Sequence, residues 1–350
     1  MRPKPLNGVF VIEGLANISE RRSGVLFKTR ITELFGIAHP IIQGALGGGL
    51  STAELVSAVS NAGGLGMITS LNYPTTEGLR EEIRKTRSMT DKPFAVNVTL
   101  LPTMRPVNYE EYFAAAIEEG VSIFETSGRS PEPYMKLVKD AGVKIMHKVG
   151  SARHAKSAER IGVDVVNVVS FEAAGHPLPD DVASSVLIPV CVDSVKIPVV
   201  VAGGVADARG FVSALAMGAE GVMMGTRFAV SKECPLHTNA KEWLLQLSEA
   251  DTMLIHKAIN NPERVVKTEY AQKILEIEEK GAPVEQVLPQ ISGDRVRNAY
   301  TTGDMSNALF TAGQVVGLIH DIPSVKEIIE GIITGAGSIV QRLSNAETSG

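Results

Sequence analysis

The residues best suited to chemistry sit at the ends of short apolar runs. Ala202-Gly203-Gly204 closes one such run and leads into an amphipathic stretch beginning at Asp207, and Met224-Gly225-Thr226-Arg227 closes the next. Glycine lets backbone N–H groups approach a ligand closely, and a following helix N-terminus favours an anion. The two turns together read as a phosphate cradle, whereas either alone is compatible with an ordinary turn. His176 lies in Glu172-Ala173-Ala174-Gly175-His176-Pro177, held between a glycine and a proline. Its imidazole can exchange protons near neutrality or face an anionic substrate, and a satisfied loop histidine is the competing reading. Lys148 ends another apolar run, where burial is costly without an anionic partner; the alternative is a lysine reaching outward at a rim. His147 beside it faces the opposite side of the strand and is read as structural. Asn97 is placed to hydrogen-bond a ring edge or loop backbone, and Gln43 and Gly44 to line a flat ring.

These residues need a scaffold that brings many strand ends to one face. Eight β-rich apolar runs recur: Ile41–Gly44, Gly66–Thr69, Phe94–Val98, Ile123–Thr126, Lys144–Lys148, Val165–Val169, Pro198–Ala202 and Gly221–Met224. Amphipathic segments separate most of them, over 51–61, 76–88, 109–119, 131–141, 152–161 and 208–217. Strands buried on both faces and alternating with helices imply a parallel sheet, and a count of eight implies a closed α/β TIM (β/α)8 barrel. In such barrels working residues come from the carboxyl ends of the strands, and phosphate is often held after strands seven and eight.

The expected organisation is an irregular N-terminal extension over 1–28, a barrel over 29–230 and 300–345, and a helical excursion over 231–299 near the barrel mouth. In the excursion, Trp243, Leu244, Leu245 and Leu247, and then Val265–Ile277, read as helical. The closing helix is expected around Ala312–Leu318, and the loop Leu100–Pro106 as a gate over the site.

Composition narrows the function further. The chain has 350 residues, 44% hydrophobic, enough apolar material for one large core. A net charge of -5 without blocks of like charge argues against nucleic acid. The two cysteines, Cys191 and Cys234, have no metal-ligand spacing and no patterned base nearby, so a reducing, cytoplasmic setting is expected and a catalytic thiol is not. His237, His256 and His320 are scattered without metal spacing, and no metal is expected. No apolar run reaches the roughly 18 residues of a membrane span, and the short run after Arg2 and Lys4 is cut by Glu13. No dinucleotide fingerprint follows the first strand, so a nicotinamide cofactor would bind transiently.

As an ordered set, several motifs are specific. His39-Pro40-Ile41-Ile42-Gln43-Gly44, Asn61-Ala62-Gly63-Gly64-Leu65-Gly66, Phe94-Ala95-Val96-Asn97-Val98-Thr99, Ala174-Gly175-His176-Pro177, Ala202-Gly203-Gly204 and Met224-Gly225-Thr226-Arg227-Phe228 together resemble the nitronate monooxygenase (2-nitropropane dioxygenase-like) family of FMN proteins, from about Thr29 to Val340. The stretches from Asn97 to Thr103 and from Phe171 to Pro177 look closest to its bacterial NADH:quinone reductase branch. The resemblance implies FMN held by the backbones of Gly203-Gly204 and Gly225-Thr226. It also implies Gln43, Gly44, Asn97 and Lys148 around the isoalloxazine, with Gly175 and Ala202 among the cofactor-binding residues. His176 and Lys148 are the implied catalytic pair, His176 facing the substrate. NADH or NADPH would serve as transient co-substrate, a quinone or a nitronate as small-molecule substrate, and a homo-oligomer is compatible with the chain. One departure matters: nitronate oxidisers carry a doubled glycine before the histidine, where this chain has Ala174-Gly175, which weakens the case for nitronate oxidation more than that for FMN. Nitronate oxidation, enoyl-thioester reduction and a non-enzymatic barrel binding a phosphorylated ligand are the alternatives to quinone reduction.

Overall fold

The computed structural model describes residues 12–13, 26–100, 107–177, 180–257, 261–281, 293–305 and 309–347. Eight parallel strands form the barrel: β1 (Ile41–Gln43), β2 (Gly66–Thr69), β3 (Phe94–Leu100), β4 (Ile123–Gly128), β5 (Lys144–Val149), β6 (Val165–Val169), β7 (Val199–Ala202) and β8 (Gly221–Met224). Their hydrogen-bonded order runs β1-β8-β7-β6-β5-β4-β3-β2. A bridge between Ile42 and Leu65 then joins the two edge strands, with Gln43 N–H donating to Leu65 O at 2.9 Å and Leu65 N–H to Ile41 O at 2.9 Å. The expected (β/α)8 barrel is therefore the fold.

The strands form where the sequence places β-branched residues that are buried on both faces, as in Val199-Val200-Val201. Inside the barrel, Ile42, Met67, Ala95, Ile123, Met146, Val165, Val200 and Met223 make an apolar plug. Outside it pack α1 (Arg30–Phe35), α2 (Ala53–Asn61), α3 (Thr76–Met89), α4 (Tyr109–Glu118), α5 (Met135–Asp140), α6 (Ala152–Arg160), α7 (Ser184–Val192) and α8 (Ala208–Ala216). Side-chain caps start several of them: Ser151 Oγ accepts from His154 N–H at 3.3 Å, and Asp207 Oδ1 accepts from Arg209 N–H at 2.8 Å. At Gly66 a side chain would run into the backbone of Val56 in α2, so only glycine lets this helix lie against β2.

The structure departs from the expected organisation in four places. The sixth unit has a helix, α7, that the sequence does not announce, because Pro189 within it and the unbroken apolar run from Val186 to Val192 give no helical periodicity. The stretch Ala312–Leu318 is not the closing helix: it holds a short 3-10 helix, Gln314–Leu318, and the closing helix packs against α8 and α2 from Val325 to Glu347. Its apolar stripe of Val325, Ile328, Ile329, Ile332, Ile333 and Ala336 has helical spacing. The excursion after β8 is not purely helical. Between α9 (Thr226–Ala229), α10 (Thr238–Leu244), α11 (Glu269–Glu279) and α12 (Gly293–Thr302) it carries an antiparallel hairpin, β9 (Thr252–Ile255) with β10 (Glu263–Val266). Val265 and Val266 belong to that hairpin rather than to a helix. In the N-terminal extension, Ile12–Glu13 pairs with Leu26–Phe27, and Phe27 packs edge-on against Phe211 at 5.2 Å, so the end of the extension is part of the barrel's outer core. Of the expected gate, Leu100 ends β3 and 101–106 lie outside the described residues.

Candidate active site

The two glycine turns meet. Strands β7 and β8 are neighbours in register, Ala202 opposite Met223, so the turns that follow them, Gly203-Gly204 and Gly225-Thr226, leave the same end of the barrel, and Gly203 and Gly225 line one cavity. Gly44, at the end of β1, closes the group from the other side: its N–H donates to Met224 O at 2.8 Å. Gly203 has a φ of +97° and no room for a side chain, since a Cβ there would overlap the Ser170 hydroxyl and lie 2.9 Å from Ala173 Cβ. Thr226 Oγ1 accepts from Gly313 N–H at 3.1 Å, which draws the Leu309–Val315 segment over the same end of the barrel.

Beside these turns opens a cavity of about 910 Å³, lined among others by Gly44, Lys148, Gly175, His176, Ala202, Gly203, Gly225 and Thr226. Gln43, Asn97 and Gly204 are not in its walls. The buried Gln43 amide instead donates to Gly44 O (3.0 Å), Ser51 Oγ (3.0 Å) and Met67 O (3.1 Å), and accepts from Met67 N–H at 3.1 Å. It ties the ends of β1 and β2 together, supporting the wall from behind.

Above the apolar plug the barrel interior turns polar. Lys148 Nζ lies 3.2 Å from Glu125 Oε1, and the Glu125 side chain is 0% exposed. Asn97 Nδ2 donates to Glu125 Oε2, and Asn97 Oδ1 accepts from Thr99 Oγ1 at 2.9 Å. Asn167 Nδ2 reaches Glu125 Oε1 at 3.4 Å and Met223 Sδ at 3.0 Å. A carboxylate removed from water costs several kcal/mol unless paired and hydrogen-bonded, and this one is both. The lysine's anionic partner, read from the sequence as a bound cofactor, is thus supplied by the protein. Sequence reading missed Glu125, although an acidic residue inside a buried strand, with Asn97 beside it in register on β3, was the available signal. On the outer face, Thr126 Oγ1 and His147 Nδ1 are 2.8 Å apart, and burial pushes His147, which also borders the cavity, down to about 4.

The hairpin of the excursion positions His176. Gly175 and Arg264 pair as antiparallel strands, with Arg264 N–H donating to Gly175 O at 2.6 Å and Gly175 N–H to Arg264 O at 3.3 Å. The Arg264 guanidinium is anchored on Phe171 O at 2.9 and 3.0 Å and lies 4.4 Å from the Phe171 ring centroid. His176 is exposed, and its Nδ1 sits 3.2 Å from Pro262 O. A carbonyl accepts only from N–H, so this contact places the neutral ring's proton on Nδ1 and leaves Nε2 as the basic nitrogen. His256, set aside as scattered, stands buried between Glu263 (3.6 Å) and Glu278 (3.5 Å), and burial lowers its pKa. Burial pushes both Cys191 and Cys234 up to about 11, which leaves neither as a ready nucleophile. Among the described residues no group of His, Cys, Asp or Glu could hold a metal ion, and no helix is long and apolar enough to cross a membrane.

An eight-stranded parallel barrel thus gathers glycine turns, a Lys–Glu pair and a histidine at one cavity, and the family to which the chain belongs makes it a barrel oxidoreductase. The profile of the family described as nitronate monooxygenase matches residues 28–335, and the chain belongs to that family of FMN-dependent oxidoreductases. It is 32% identical to a (3aS,4S,5R,7aS)-5-hydroxy-7a-methyl-1-oxo-octahydro-1H-indene-4-carboxyl-CoA dehydrogenase of Rhodococcus jostii, over 88% of this chain and 96% of that protein. It is 30% identical to a probable nitronate monooxygenase of Staphylococcus saprophyticus, over 90% of this chain and 99% of that one. Among solved structures, FabK from Thermotoga maritima superposes with a TM-score of 0.85 at 36% identity, covering 91% of this chain and 99% of that one. The residues present suit FMN. The cavity is at the upper end of the roughly 300–1,000 Å³ usual for ligand pockets, glycine backbones converge at one end of it, and the buried Thr69 hydroxyl in its wall has no partner among the described residues.

Proposed function

We propose that the protein is an FMN-dependent reductase that takes electrons from NADH or NADPH and delivers them to a neutral, conjugated carbonyl acceptor, a quinone in the first instance. FMN supplies two-electron transfer between donor and acceptor bound in turn at the same face. In this reading the backbones of Gly203, Gly204, Gly225 and Thr226 hold its phosphate, and Gly44, Gly175 and Ala202 pack against it. Gln43 and Asn97 act from behind the wall, through Gly44 and through Glu125. Lys148, its charge balanced by Glu125, offers an N–H donor to the edge of the cofactor that becomes electron-rich, an arrangement prepared in advance of reaction. His176, once protonated at Nε2 while Nδ1–H stays on Pro262 O, donates a hydrogen bond to the acceptor carbonyl and passes it the proton that accompanies reduction.

The observation that carries this reading is the Lys148–Glu125 pair at 3.2 Å. A nitronate is an anion and would be drawn by an uncompensated cation. Here the ammonium facing the cavity already has a buried carboxylate against it, which favours an uncharged acceptor. A second acceptor class has its own support: the 32% identical Rhodococcus protein is named for a coenzyme A thioester, and an unsaturated thioester is, like a quinone, a carbon–carbon double bond conjugated to a carbonyl. Anaerobic mixing of the flavin-loaded protein with NADH and NADPH, followed by a quinone or an enoyl-CoA, separates these readings. Bleaching by a nicotinamide and recovery with one acceptor supports the proposal. Bleaching by a nitronate alone overturns it.

A further inference from the structure

The cavity does not stop at Lys148. It continues past the end of β5 into an arm walled by Arg129 and Ser130, just after β4, by His147 of β5, by His154, Ser157 and Ala158 of α6, and by Ile161 just after that helix. We propose that this arm receives the phosphorylated adenosine end that nicotinamide dinucleotides and coenzyme A thioesters have in common. The inference rests on the proposed function for why such a molecule enters, and on the arm itself for where it is held.

The chemistry of the walls is divided. The partly exposed Ile161 offers an apolar surface to a flat ring, while the exposed Ser130 and Ser157 bring hydroxyls to its edge. Around them gathers positive charge. Arg129 is exposed, and Arg153, also exposed, has its Nη2 3.5 Å from Nε2 of His154 in the wall. Among the described residues neither arginine has an ion-pair partner, in a chain whose net charge is -5. Other arginines close to acidic residues, such as Arg80, Arg84 and Arg209, pair with them. The exposed Glu132, three residues beyond Arg129, has its backbone N–H on Ser130 Oγ at 3.3 Å, and its carboxylate is not paired with either arginine among the described residues. Planar guanidinium groups match phosphate oxygens two at a time. Because arm and reaction site are one cavity, a molecule gripped here by its phosphates has its other end beside Lys148 and His176. Binding of a remote, non-reacting part is the usual means of positioning a reacting one.

The test uses the full-length, flavin-loaded protein and its Arg129→Ala/Arg153→Ala double variant. Each is titrated calorimetrically with ADP, adenosine 2′,5′-bisphosphate and adenosine 3′,5′-bisphosphate. The wild-type protein is expected to bind at least one of them, and the variant to bind it about tenfold or more weakly, the equivalent of 1.4 kcal/mol. An Arg129→Lys/Arg153→Lys variant should recover part of the loss, which guards against a folding defect. Preference for the 2′-phosphate identifies NADPH as the source of the ligand, preference for the 3′-phosphate coenzyme A, and equal binding of all three a grip on the diphosphate. Absence of binding to the wild-type protein, or equal binding to wild type and alanine variant, overturns the inference. Because no turnover is measured, a flavin that fails to react with nicotinamide counts against the proposed function and not against the arm.

Discussion

Glu125 holds Lys148 from beneath: the carboxylate, fully enclosed by the barrel, lies 3.2 Å from an ammonium whose side chain is 25% exposed at the cavity. The contact joins two adjacent strands, β4 and β5, so the geometry of the charge is set by the barrel and not by a loop. Removing the carboxylate charge while keeping its shape, Glu125→Gln, leaves the lysine uncompensated beside the flavin. The flavin reduction potential should then rise, by roughly 30 mV or more, since 30 mV is about 1.4 kcal/mol for a two-electron couple. Spectroelectrochemical titration measures it; an unchanged potential would separate this pair from the cofactor.

Lys148→Met strands a carboxylate inside the barrel. Breaking a buried pair from one side costs about 3–5 kcal/mol, so the single variant should unfold at markedly lower denaturant concentration. The double variant Lys148→Met/Glu125→Gln should regain most of that stability and none of the activity. Failure of the second change to rescue folding would mean that the pair is not a coupled unit.

His176 touches the cavity but not the glycine turns, and its own anchor is Pro262 O. His176→Ala is expected to keep its flavin and lose turnover by about 10²-fold or more, the usual worth of a positioned acid–base group. Loss of the yellow colour in this variant would assign the residue to cofactor binding instead.

At Gly204, with a φ of +74°, a Cβ would lie 3.3 Å from Ser184 Oγ and 3.9 Å from Glu172 Oε1. Gly204→Asp therefore adds strain and negative charge beside the expected phosphate, and the protein should purify without flavin while retaining its circular dichroism. Full flavin content in a folded variant would show that the phosphate is held elsewhere.

Acid should weaken the fold through His147. Burial holds this histidine neutral, with a folded pKa of about 4 against the ordinary 6.5. The stabilisation is present in full above pH 6.5 and is lost as pH falls toward 4, by about 3 kcal/mol in total. His147→Gln should flatten the stability profile in that window; an unchanged slope would point to other groups.

Much of this was legible in the sequence because barrel strands carry their own signal. Pro198–Ala202 and Gly221–Met224 read as buried strands, and their glycine ends read as an anion cradle before any strand order was known. That the turns after these two strands leave the barrel side by side follows from strand order alone. What escaped depends on contacts distant along the chain. Glu125 draws its meaning from Asn97, Lys148 and Asn167 on three other strands, and no local pattern brings these together. The β9–β10 hairpin was overlooked because Val265 and Val266 also fit the apolar spacing of the helix that follows, and with it went the anchor of His176. Gln43 and Asn97 were recognised as polar at strand ends, but sequence spacing does not tell a side chain facing a ligand from one bracing the wall behind it.

Reduction of a flavin in this barrel by a nicotinamide is the step on which the proposed activity depends. Purified protein carrying FMN, mixed without oxygen with NADH or with NADPH while the visible flavin absorbance is followed, answers this most directly. Full bleaching by at least one of the two within the mixing series is the result predicted. A flavin that ignores both and bleaches only with a nitronate would contradict the account.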